Sequence, residues 1–157
     1  MAEKVFAGVY GSYGHLEQGF IKDGLIELTG GVCEKLAYPL ERAVITNYLA
    51  DLTRGRVLMV ARKPKKNLEL GLRANSSYSL CHFYSNGGIA GSMKEVVKLW
   101  CTYTRHFRWQ GDEIESDYVR LEPGQFCMTL ADFLDTFQGV QVLNLVSDHT
   151  SKILRPF

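Results

Sequence analysis

Residues 41–61 read ERAVITNYLADLTRGRVLMVA, and the change of period inside this stretch decides the fold class. Over 41–53, Val44, Ile45, Tyr48, Leu49 and Leu52 recur at helical spacing, which predicts a helix that buries these five side chains. Pro39 stands just ahead of it, where proline is tolerated, and Gly55 supplies a C-terminal stop. Residues 56–61 (RVLMVA) are then a short apolar run rich in strand formers, too short for another helix.

Toward the C-terminus strands dominate. Residues 77–84 (SYSLCHFY) and 95–103 (EVVKLWCTY) read as two strands with the turn cluster Ser85-Asn86-Gly87-Gly88 between them, an antiparallel hairpin with a long loop. A short strand is expected at 126–128. Thr129, with Asp132 three residues on, has the form of a capping box with Asp in the usual Glu place. Phe133, Leu134 and Phe137 give the following helix its apolar face, Gly139 ends it, and 140–146 alternates as a final strand. Toward the N-terminus, residues 2–13 read as a helix with Val5, Phe6, Val9, Tyr10 and Tyr13 as one apolar stripe. Residues 14–31 are punctuated by Gly19, Gly24, Gly30 and Gly31 and are expected to be largely loop. This order predicts an α+β domain built on antiparallel sheet.

The composition agrees with one folded domain. The chain has 157 residues, 46% of them hydrophobic, and a formal net charge of +1. That length normally makes a single domain, and an apolar fraction this high at low net charge excludes disorder. No apolar run approaches the ~20 residues of a membrane-spanning helix, and the first ten residues carry no secretory signal pattern. Charge balance gives no reason to expect nucleic acid. Cys33, Cys81, Cys101 and Cys127 show no two-residue pairing, so free thiols in a reducing compartment, the cytoplasm, are expected. Cys81 and His82 are adjacent, and on a regular strand they would point to opposite faces. No metal set and no cofactor are expected. Arg54, Arg56, Arg62, Lys63, Lys65 and Lys66 put six cations in thirteen residues. They read as a solvated strand end and loop rather than as a membrane contact.

Several motifs resemble the calpain family. Residues 3–13 (EKVFAGVYGSY) look like the calpain segment EKAYAKLYGSYEAL, and Thr29-Gly30-Gly31 matches the end of the calpain run DFTGG. Residues 75–80 (NSSYSL) align with GHAYSV, and 124–134 (GQFCMTLADFL) look like GEFWMSFSDFL. Val142-Leu143-Asn144-Leu145 matches the strand that closes the protease core. The similarity runs from about residue 3 to about 147, with the motifs in order and in spacing. It implies the antiparallel-sheet half of a papain-like core: a leading helix at 3–14, the second protease subdomain at 15–147, and a tail at 148–157. Divergent calpain-like proteins of this kind are known from protozoa.

In calpains this half carries the catalytic histidine and asparagine, while the nucleophilic cysteine lies in the other half, in a QGxxGDCW-type segment that these 157 residues do not contain. A thiol protease needs a thiolate, an imidazole to activate it and a third group to orient the imidazole. By the resemblance, the histidine position carries Ser76. The asparagine of the NPWG motif falls on Cys101. His82, His106 and Cys33 are the residues whose type could substitute, and none is expected to. His82 lies six residues past Ser76, about 20 Å at strand rise. Calpains also bind calcium through acids near a second tryptophan and near GEFW; here Arg108, Pro123 and Gln125 stand at those positions. The acidic run Asp112, Glu113, Glu115 and Asp117 is a weak calcium candidate, and calcium independence is expected.

The resemblance therefore implies a degenerate, catalytically inactive homologue. The expected role is a protein-binding, regulatory or cytoskeleton-associated module in the cytoplasm, with an unidentified protein partner or self-association through the vacant cleft face. The alternative is a calcium-dependent cysteine endopeptidase fragment, or a split protease whose cysteine half lies upstream or on another chain.

Overall fold

Six strands pair edge to edge in the order Val32–Ala37, Gly139–Asn144, Val57–Arg62, Ser77–Tyr84, Val96–Cys101, Gln125–Thr129, every neighbour antiparallel. The computed structural model describes residues 2–12, 21–62, 71–74, 76–85, 95–101 and 121–145. The elements run α1 (Ala2–Tyr10), α2 (Ile21–Thr29), β1 (Val32–Ala37), α3 (Arg42–Thr53), β2 (Val57–Arg62), β3 (Ser77–Tyr84), β4 (Val96–Cys101), β5 (Gln125–Thr129), α4 (Leu130–Thr136) and β6 (Gly139–Asn144). The α+β expectation holds. No helix among the described residues is long and apolar enough to cross a membrane.

Alternation along the strands sorts side chains onto two faces. One face, with Met59, Ala61, Tyr78, Leu80, Leu99, Phe126, Met128, Val140 and Val142, forms a single core with Ile45, Leu49 and Leu52 of α3 and Leu130 and Phe133 of α4. Tyr78 sits at its centre. Its ring meets Phe126 and Phe137 edge-on at 5.9 and 5.6 Å, and its hydroxyl accepts a hydrogen bond from the Arg73 backbone N–H at 2.8 Å. Helix α4 is short and starts where the sequence places its cap. The Thr129 hydroxyl accepts from the Asp132 N–H at 3.1 Å.

Several expectations need correction. Residues 21–29 are helix, not loop. Gly30, at φ 70°, is a left-handed C-terminal cap whose N–H bonds the Ile26 carbonyl at 2.7 Å. Gly30 thus marks a helix end, while Gly24 lies inside the helix. Gly31 is needed for space: a Cβ there would lie 2.6 Å from the Asn144 carbonyl oxygen. Strand β1 carries Glu34 and Lys35, types depleted in strands, which hides it from a propensity reading. On α1, among the described side chains, Ala7 is buried and Phe6 half-buried, while Val5 and Val9 are 62% and 75% exposed, so these two valines of the stripe do not face the core. Tyr13 lies outside the described residues. On α3, Val44 is exposed instead of buried. Of the six cations, the three that are described do not lie together. Arg54 and Arg56 both approach Asp51, at 3.6 and 3.4 Å, and Arg62 is at the other end of β2. Lys63, Lys65 and Lys66 lie outside the described residues.

The core and the cap make separable contributions. Phe133 is fully buried, so Phe133→Ala is expected to cost about 3–5 kcal/mol. Thr129→Ala removes the cap and the hydroxyl's hydrogen bond to the Asp132 carboxylate, and is expected to cost about 1 kcal/mol. Urea unfolding midpoints of the two variants, at unchanged slope, check both values.

Candidate functional site

The site indicated by the sequence is where β3 begins and β4 ends. Ser76 is the residue before β3 and is half-buried. Two residues on, Tyr78 pairs with Cys101, the last residue of β4. Ser76 and Cys101 are therefore not register partners. An antiparallel extension would set Ser76 opposite position 103, outside the described residues. Cys101 is 1% exposed and belongs to the main core, and its N–H donates to the Gly124 carbonyl at 2.8 Å. It shares that core with Tyr78 and Leu99.

His82 would share the face of Ser76 if β3 kept strict alternation. It does not, because the register slips between Leu80 and His82. Leu80 faces Leu99 on the core side, His82 faces Lys98 on the other side, and Cys81 is the extra residue. The bulge thus places Cys81 and His82 on the same face, contrary to the expectation for adjacent strand residues. There they join Tyr84, Lys98 and Cys127, since His82, Lys98 and Cys127 form one row across β3, β4 and β5. The His82 and Tyr84 rings lie 4.5 Å apart. Nothing in the residue spacing marks the slip, so this cluster was invisible before the register was known.

The electrostatics of the cluster oppose nucleophilic chemistry. Burial pushes the Cys127 thiol up to about 11; Lys98 pulls it down more weakly and Cys81 adds to the rise. Burial likewise raises Cys81. Burial, with Lys98 adding, holds the His82 imidazole below its ordinary value. Cys33, on β1, is also raised by burial, and its thiol lies 3.5 Å from the Gln141 side-chain oxygen. A thiol nucleophile needs its pKa lowered and a base in hydrogen-bond reach. Among the described residues no cysteine is hydrogen-bonded to a histidine, and all three perturbed thiols move the wrong way.

The chain matches the model of the calpain family cysteine proteases over residues 1–144. It belongs to the calpain family. The calpain-1 catalytic subunit of Sus scrofa is 29% identical over 171 residues, covering 94% of this chain and 23% of the relative. A calpain-type cysteine protease of Arabidopsis thaliana, DEK1, is 32% identical over 99 residues, 63% of this chain and 4% of its own length. Calpain-C of Drosophila melanogaster is 23% identical over 173 residues, 92% of this chain and 25% of its own. The chain thus spans about a quarter of the length of the calpains it matches across most of its residues.

Calcium can be tested at the GEFW-like segment. Residues 122–125 offer one carboxylate, Glu122. Pro123 has no side-chain oxygen, and the Gln125 oxygen accepts from the Glu122 N–H at 3.0 Å. Six to eight oxygens, several of them charged, are not available from this turn. Asp112, Glu113, Glu115 and Asp117, with Arg108 and His106, lie outside the described residues. Among the described residues no three acidic, histidine or cysteine side chains are grouped to hold a metal.

Cys127 gives a pH test. A thiol with pKa about 11 is roughly one-thousandth thiolate at pH 8, against about a quarter for a thiol of pKa 8.5. Iodoacetamide labelling of the folded protein, read site by site by mass spectrometry, should leave Cys127 more than about a hundredfold slower than a free thiol. The rate should climb through pH 10–11. Since the raised pKa favours the thiol in the fold, stability at this site is complete below the unfolded pKa near 9 and falls as pH rises toward 11.

Proposed function

We propose that this chain is a catalytically inert calpain-family domain that binds a protein partner, in a regulatory or cytoskeletal role in the cytoplasm. The reading rests on the pair of residues that the resemblance sets at the family's histidine and asparagine positions, and on where the structure puts them. Ser76 offers a hydroxyl, which is not a base near neutral pH. Cys101 is buried in the core, where it has no amide oxygen to orient a ring. The fold meanwhile retains a fully packed centre, so what has been kept is the shape. The raised thiols at Cys33, Cys81 and Cys127 support the same reading. A protease completed by a cysteine-bearing segment elsewhere would still need a base at position 76.

The exposed pair Val5 and Val9, at helical spacing of four on α1, supports a protein partner. Self-association through the cleft face is one way of covering such residues. By the resemblance, Pro123 and Gln125 stand where calpains carry acidic ligands, which supports calcium independence.

The test is cleavage of casein and of calpain peptides by the purified chain, with reductant, in calcium and in chelator. No turnover is expected in either, and Ser76→His should add none. Thiol-dependent turnover abolished by Cys33→Ala would overturn the reading.

A further inference from the structure

We propose that the outer edge of β1 accepts an extended peptide as a seventh strand, with an acidic side chain facing Lys35 and an apolar one in the cavity beside Leu36. This inference stands apart from the loss of protease chemistry, since such an edge would serve an active enzyme equally well.

β1 ends the sheet, and among the described residues nothing pairs with its outer side. An open strand edge presents backbone N–H and C=O groups, for which another extended chain is the matching ligand. The surroundings are apolar for a surface. Val32, which opens β1, is 66% exposed, and Tyr38, just past its end, is 63% exposed. Between β1 and the start of α3 is a cavity of about 350 Å³, lined by the apolar Leu36, Ala37, Pro39, Leu40, Val44 and Ile45 and by the charged Lys35 and Glu41.

Register says what an added strand must carry. Glu34 pairs with Val142 and Leu36 with Val140, so Glu34 and Leu36 share the core face; Lys35 pairs with Gln141 on the other face. Directly opposed residues of an antiparallel pair share a face. The incoming residue opposite Leu36 therefore enters the cavity, and the next residue of the peptide lies opposite Lys35. The Glu34 carboxylate is already engaged, accepting from the Tyr48 hydroxyl at 2.7 Å and the Asn144 amide at 2.9 Å. Lys35 is exposed and makes no ion pair among the described residues. On β1 itself the unpaired charge is thus the Lys35 ammonium, with Glu41 lying beyond the strand at the cavity, and an acidic residue directly opposite Lys35 complements it. The peptide reads apolar then acidic, within an otherwise alternating strand.

The same register argues against a second copy of β1. Two identical antiparallel strands about a two-fold axis normal to the sheet must pair residues whose numbers sum to an even value, or their faces conflict. The two registers nearest the middle of Val32–Ala37 set Glu34 against its own copy or Lys35 against its own copy. Like charges directly opposed destabilise a pair.

The probe is a labelled, end-capped peptide of eight residues, alternating Thr and Val around a central Leu-Asp, titrated with the full chain and followed by anisotropy. Saturable binding is expected. Lys35→Glu, an exposed substitution, should weaken it about three- to tenfold, and a peptide with Lys in place of Asp should recover the loss on that variant. Methylating alternate backbone nitrogens of the peptide should abolish binding to the unaltered chain. No saturable binding at millimolar concentration would overturn the proposal. So would equal affinity for the methylated peptide, indifference to the charge swap, or a chain dimer dissolved by Lys35→Glu.

Discussion

Tyr78 is the residue on which the described structure turns. Its ring closes the core between β5 and the end of α4, and its hydroxyl fixes the segment leading into β3 through the Arg73 N–H. Its backbone sets the β3–β4 register at Cys101. A buried phenol needs a partner for its oxygen, and supplying one here also holds the chain on either side of Ser76. The geometry around position 76 is thus maintained by a core contact, whatever residue occupies that position.

The parts of the fold that were legible in the sequence are those whose periodicity comes from one-sided burial. Helix α3, strands β2 to β6 and the Thr129 cap fall within a few residues of their expected places, because each presents an apolar face to the same core. The misses have a common cause. Helix α2 has no fully buried residue and contains Gly24, so its period is weak. Strand β1 is an edge, where charge protects against unwanted pairing and so dilutes the strand signal. The β3 bulge is a one-residue register slip, which no spacing rule reports, and it moved His82 to the face opposite the one alternation implies. Val5 and Val9 show the converse: helical spacing reveals an apolar stripe without saying what covers it.

For the candidate site, residue types were legible and surroundings were not. Ser76 could be placed from NSSYSL alone. That Cys101 is a core residue, and that Cys81, His82, Lys98 and Cys127 share a face, required the registers. These surroundings decide chemistry more than identity does. Three cysteines and a histidine look reactive in a composition count, yet burial drives the thiols toward the protonated form and the imidazole toward the neutral one.

The central claim is a calpain-family fold without a working thiol centre, and the most direct measurement is covalent labelling by a peptidyl epoxide, which reacts with the activated thiolates of papain-like proteases. Mass spectrometry of the folded chain at pH 7.5, with and without calcium, should find no saturable modification at Cys33, Cys81, Cys101 or Cys127. Rapid, stoichiometric labelling of one of these cysteines, faster than that of the same residue in the denatured chain, would contradict the account.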